Sequence, residues 1–189
     1  MTIEEVHALL QNRRSVYPNQ YLEKVIPDQL IKNILENANW APTHKLTQPW
    51  RFKVMKGEVQ KKFGIFMAEK YRSINELESF SVAKYEKLKM NPQKAGAIIA
   101  ICMQRDPKNR VPAWEEIAAV AMAVQNMWIT ASAYGIGAYW STPDLLEHFG
   151  EFEPLEDGEQ CIGLFYMGYA NIPNAHPPRT PMDEKVKWL

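Results

Sequence analysis

Cysteine is scarce, with two residues in 189, Cys102 and Cys161. No C-x-x-C pair accompanies them, and the four histidines (His7, His44, His148, His176) stand far apart, so no disulfide framework or structural metal site is expected. Both cysteines fall in apolar runs. That predicts buried, reduced thiols of a cytoplasmic protein, with a disulfide between them the less favoured alternative. Net charge is also missing, because 22 basic residues balance 22 acidic ones. A partner of nucleic-acid phosphates needs a basic excess, so none is expected. No run approaches the roughly 20 apolar residues of a membrane span. Met1-Thr2-Ile3-Glu4-Glu5 lacks the regions of a signal peptide. Neither G-x-G-x-x-G nor a P-loop occurs, which excludes those dinucleotide and phosphate sites. No repeat, low-complexity segment or linker divides the chain. What is present, 46% hydrophobic residues, suits a single domain over residues 1–189 with a sizeable core.

Thr2 and Glu5 form a capping-box pattern ahead of a helix carrying Ile3, Val6, Leu9 and Leu10. A polar loop should follow, from Asn12 to about Ile26. Pro27 opens a second helix, with Leu30, Ile31, Ile34, Leu35 and Ala38 on one face, ending near Ala41 before Pro42. Alternation from Arg51 to Met55 reads as a strand. Residues 58 to 92 read as one or two charged amphipathic helices, with Phe63, Phe66, Leu77, Phe80 and Leu88. Ala97 to Met103 reads as a strand buried on both faces. Pro112 to Tyr134 is a helix apolar nearly all round, roughly 34 Å long at 1.5 Å per residue. Gly135 can cap it in the left-handed region. Ile136–Trp140 and Cys161–Met167 read as strands and Pro143–Phe149 as a short helix. The tail from Asn171, with Pro173, Pro177, Pro178 and Pro181, reads as an extended arm.

Few of the polar clusters are specific alone. Arg13-Arg14-Ser15 suits a phosphate or a ribityl chain, because arginine offers a planar fork of donors. It equally suits a solvated helix end. In the loop from Ala41 to Trp50, two prolines pin the backbone around His44, Lys45 and Gln48, as a rigid holder for a flat ligand would require. Gln125 and Asn126 need partners inside the buried helix. The stretch Gly135 to Thr142 combines two glycines, two aromatics and two hydroxyls at a turn, where backbone can approach a ligand. Arg179 is a cation on a stiff arm. His7, His148 and the nine methionines read as ordinary structural residues.

The order of these pieces is more informative than any one of them. Arg13-Arg14-Ser15, Ala41-Pro42 running into Gln48-Pro49-Trp50-Arg51-Phe52, Gln125-Asn126, Tyr134-Gly135-Ile136-Gly137, Gly168-Tyr169 and Arg179-x-Pro181 together resemble the nitroreductase family. The likeness is strongest to its small members, whose loop reads Ala-Pro-x-His-Lys-x-x-Gln-Pro-Trp-Arg-Phe. It covers about residue 8 to residue 183 and is weakest between 57 and 95.

The resemblance implies an α+β fold, a three-layer α/β/α sandwich whose central mixed or antiparallel sheet is flanked by helices, built as an intertwined homodimer. The long helix would form much of the interface, and the arm at 171–189 would cross onto the partner. Two FMN molecules would sit at that interface. Arg13 and Ser15, with Arg14 beside them, would contact the FMN phosphate, ribityl or pyrimidine end, and Arg179 would hold the phosphate. Trp40, His44 and Gln48 would lie at the flavin, His44 reaching from one chain to the other's cofactor. Trp140, Ser141 and Thr142 would run along the isoalloxazine. Tyr17 and Pro177 stand where many relatives have basic residues, which leaves phosphate binding to Arg13, Arg14 and Arg179. The implied activity is FMN-dependent, ping-pong transfer of hydride from NADH or NADPH to nitroaromatic, quinone-like or other small electrophiles. No catalytic side chain is expected, since the flavin N5 carries the chemistry. Residues 65 to 95 would cap the flavin and choose the substrate. An FMN-storing or sensing module without turnover is the alternative, and a flavin-free dimerisation protein a third reading.

Overall fold

The computed structural model of the chain describes residues 2–75, 78–171 and 178–189. The expectations for Leu77, Pro173, His176 and Pro177 lie outside the described residues. Helix α1 (Ile3–Asn12) starts with the full capping box: Thr2 N–H donates to Glu5, and Glu5 N–H to the Thr2 hydroxyl. None of its residues is buried, and Ile3 and Leu10 face outward.

The second helix, α2 (Asp28–Ala38), stops three residues short of the expected Ala41. Asn39, Trp40 and Ala41 instead close a turn, their N–H groups donating to the carbonyls of Glu36, Asn37 and Ala38. Pro42 would crowd a further helical residue at 41, so the chain leaves early. Strand β1 (Trp50–Met55) leads to α3 (Glu58–Ile74) and α4 (Val82–Lys94), so the charged stretch makes two helices. Strand β2 (Ala97–Gln104) is buried along its first seven residues.

Helix α5 (Ala113–Ala133) ends at Gly135, whose φ of 70° is left-handed. Strand β3 (Ile136–Ser141), a five-residue 3-10 turn at Asp144–His148, helix α6 (Phe149–Phe152) and strand β4 (Glu159–Tyr169) complete the order. The described tail is exposed, with one 3-10 turn at Met182–Glu184.

The strands form one antiparallel sheet in the order β1-β2-β4-β3. Side chains alternate across it, so each strand feeds two cores. Ile99, Ile101 and Met103 of β2 pack with α2 and α5. Ile98, Ala100 and Cys102 pack with Phe63 and Met67 of α3 and Phe149 of α6. The architecture is thus the three-layer sandwich. No helix among the described residues is long and apolar enough to cross a membrane.

One expectation fails within the single chain. Helix α5 is not buried all round. Ala119, Val120, Ala123, Val124 and Met127 face the sheet, while Trp114 (67% exposed), Ile117, Ala121, Met122 and Gln125 form an outward stripe. Their spacing of three and four residues puts them on one helical face. Gln125 therefore points outward and needs no buried partner, whereas Asn126 donates to the carbonyl of Asn37 at 3.2 Å.

Candidate functional site

Residues 13 to 17 run along the free edge of β3. Ser15 forms a parallel bridge to Ala138, and Val16 N–H donates to its carbonyl at 3.0 Å. The approach requires glycine at 137, where a Cβ would lie 2.7 Å from that of Val16. The segment then carries its side chains past the C-terminal half of α5. The Arg13 guanidinium stacks 4.6 Å from the Trp128 ring centre, and Trp128 Nε1 donates to the Arg14 carbonyl. Arg14 donates to the carbonyls of Gln11 and Arg13.

Arg179 returns from the tail close enough to repel Arg13. Burial, then the charges of Arg179 and Arg14, hold the Arg13 guanidinium below its ordinary value. Among the described residues neither Arg13 nor Arg179 has a carboxylate partner; Arg179 donates only to the Pro178 carbonyl. Gathering like charges costs energy unless an anion offsets it, so this cluster fits a phosphate. Ser15 lies exposed beside it.

Two more candidates stand at the far end of β3, on the side of Tyr17. Ser141 is half-buried and Thr142 exposed at the strand end. The Trp140 indole is half-buried, lying over Gly163 of β4 and against the core shared with α5. Its Nε1 is buried without an acceptor.

The other three candidates sit elsewhere. His44 Nδ1 pairs with Glu115 at 2.6 Å, at the first turn of α5. Trp40 (78% exposed) and Gln48 face outward nearby. Between them Lys45, Leu46 and Gln48 all hold left-handed backbone, with φ of 50°, 52° and 43°. Non-glycine residues pay about 1–3 kcal/mol each for that region, and such strain gathers at ligand clamps. Pro49 and the Thr43 hydroxyl, which accepts from Gln48 N–H at 3.1 Å, hold it in place. Glu115 and Trp128 are thirteen residues apart on α5, about 20 Å at 1.5 Å per residue. One chain therefore does not bring His44 to the arginines.

Next to Tyr17 a cavity of about 1070 Å³ opens between the sheet and α4. Tyr17, Tyr139 and Tyr166 wall one side and Lys84, Lys87 and Asn91 the other, with Ser141 at the rim. The Tyr17 and Tyr139 rings lie 4.9 Å apart, and Tyr139 stacks on Tyr166 at 5.2 Å. Burial raises the pKa of Tyr139 and Tyr166, keeping both phenols neutral. Sequence reading missed this wall. The available signal was alternation: with Trp140 inward, Tyr139 must face the opposite side.

The model of the nitroreductase family matches residues 10–169, a span from just before the arginines to the end of β4. This chain belongs to that family. Members are oxidoreductases, and the sequence relatives agree. "Putative NAD(P)H nitroreductase YdjA" of Escherichia coli (strain K12) is 29% identical over 167 residues, 85% of either chain. The crystal structure of a nitroreductase-like family protein from Bacillus cereus superposes with a TM-score of 0.83 at 27% identity, covering 97% of this chain and 95% of that one. A Desulfovibrio desulfuricans nitroreductase homologue, solved in complex with FMN, shares the fold at a TM-score of 0.73 and 21% identity, with 96% and 94% covered.

Proposed function

We propose that two copies of this chain jointly hold two FMN molecules and pass electrons from NADH or NADPH to small electrophilic acceptors, nitroaromatic and quinone-like compounds among them. The observation that carries the reading is the split site. Cationic and loop residues lie about 20 Å apart along α5 in one chain, and an apolar stripe between them lies bare. Two antiparallel copies meeting on that stripe would bring the His44 loop of one to the arginines of the other, and would bury Trp114, Ile117 and Met122.

Arg13, Arg14 and Arg179 then bind the phosphate, with the Ser15 hydroxyl donating beside them. Ser141 and Thr142 orient the polar edge of the ring. Bound FMN supplies two-electron transfer between nicotinamide and acceptor in alternating half-reactions. The tyrosine wall and α4 exclude water and admit flat rings, which makes α4 the selector of the acceptor.

The test is anaerobic titration of FMN-loaded protein. NADPH or NADH should bleach the flavin band, and a nitroaromatic or quinone should restore it. Retained flavin that no nicotinamide bleaches would mean storage or sensing instead, and failure to take up FMN at all would sink both readings. Met122→Glu should give monomers by light scattering that lose FMN on gel filtration. Flavin-loaded monomers would overturn the shared site.

A further inference from the structure

Cys102 and Cys161 are far apart in sequence but face one another across β2 and β4. Both are free and both point into the core beneath α3 and α6. Directly opposed residues of an antiparallel pair have Cα atoms about 4.5–5.5 Å apart, inside the 4.4–6.8 Å window that a disulfide spans. The register shifts at this point: Ile101 pairs with Gly163 and Cys102 with Cys161, which leaves Ile162 as a bulge and gives the backbone room to adjust.

A third group completes the cluster. The Glu159 side chain is 2% exposed, next to Lys53 at 3.3 Å. Its Oε2 accepts from Glu156 N–H at 2.9 Å, while Oε1 is buried with no partner and the carboxylate faces the Cys102 thiol. A buried carboxylate oxygen without a donor is an acceptor waiting for a proton.

We propose that Cys161 and Cys102 form a dithiol that hydroperoxides oxidise to a cross-strand disulfide, with Cys161 attacking and Cys102 resolving. Both are buried, Cys161 at 7% and Cys102 at 0% exposure, and the Cys161 sulfur lies against the Gly163 carbonyl at 3.6 Å. The neighbouring Cys102 thiol and the Lys53 charge favour the Cys161 thiolate, while Cys161 and burial push the Cys102 thiol up. The Cys161 thiolate attacks the distal oxygen of the hydroperoxide. An S–O bond forms, the O–O bond breaks, and the departing oxygen takes up the proton that Cys161 shed, so an alcohol or water leaves and a sulfenic acid remains. Cys102 then gives its proton to Glu159 and attacks the Cys161 sulfur. The S–S bond forms, the S–O bond breaks, and Glu159 returns the proton to the departing oxygen, which leaves as water. Two thiols lose two electrons and the peroxide gains them.

The experiment treats folded, full-length protein with equimolar hydrogen peroxide, then denatures and alkylates it. The expected result is loss of both free thiols, an intact mass lower by two hydrogens, and a peptide joining Cys102 to Cys161, all reversed by dithiothreitol. In Cys102→Ala, dimedone should trap a sulfenic acid on Cys161; Cys161→Ala should yield no adduct at Cys102. Glu159→Gln should slow disulfide formation roughly 100-fold, the usual size of a general-base contribution. Two fully alkylated thiols after peroxide, oxidation that stops at sulfinic acid in the wild type, or adducts on Cys102 alone would each overturn the proposal.

Discussion

The two ends of α5 treat charge in opposite ways. At the N-terminal end the buried carboxylates are spent on partners inside the chain. Glu116, fully buried, pairs with Arg105 and accepts from Asp106 N–H at 2.8 Å. Asp106 in turn accepts from Arg110 through Nε at 2.7 Å and through its backbone N–H. At the C-terminal end Arg13 rests on an indole and repels Arg179, with no carboxylate on either among the described residues. The first arrangement stiffens a loop, and the second leaves binding capacity unused. Satisfaction of charge, more than its presence, separates scaffold from site.

Arg105→Ala breaks the scaffold end. It strands the Glu116 carboxylate in the core, so urea unfolding should show a loss of about 3–5 kcal/mol. Arg13→Ala works the other way. It removes a charge-assisted donor worth about 1.5–3 kcal/mol, so the dissociation constant for FMN should rise roughly 10- to 100-fold with the urea midpoint little changed. If Arg13→Ala unfolded the protein while Arg105→Ala spared it, the comparison would be inverted. The smallest effect is a pH dependence. The guanidinium and backbone N–H of Arg110 hold the Asp106 carboxyl well below the ordinary range. Its contribution is present above the unfolded value, about 3.9, and is lost as pH falls through the folded one. Hydrogen exchange in residues 105–111 should therefore quicken in strong acid, and Asp106→Asn should abolish that dependence while leaving FMN affinity alone.

Much of this was legible in the sequence because it is local. The capping box at Thr2, the glycine stop at 135 and the doubly buried β2 each follow from a few neighbouring residues. Spacing and resemblance pointed to the arginines, the His44 loop and the end of β3 as candidates. What escaped was set by the third dimension. Trp140 and Tyr139 are adjacent, and which one turns inward depends on the shallow seat at Gly163 rather than on either residue. Cys102 and Cys161 read as unrelated because a register, not a motif, makes them neighbours. Helix α5 read as buried all round because composition records apolarity without saying which chain covers it.

The strand order has a consequence for how the chain emerges from the ribosome. Strand β2 is the most apolar segment of the sheet, yet its second neighbour, β4, is the last strand made. Between Gln104 and Tyr169 the nascent chain gains sixty-five residues, about 3–13 s at 5–20 residues per second. Throughout that interval one side of β2 offers unpaired backbone to any passing strand. This interval, rather than any weakness of the finished fold, is when the protein is most exposed to aggregation.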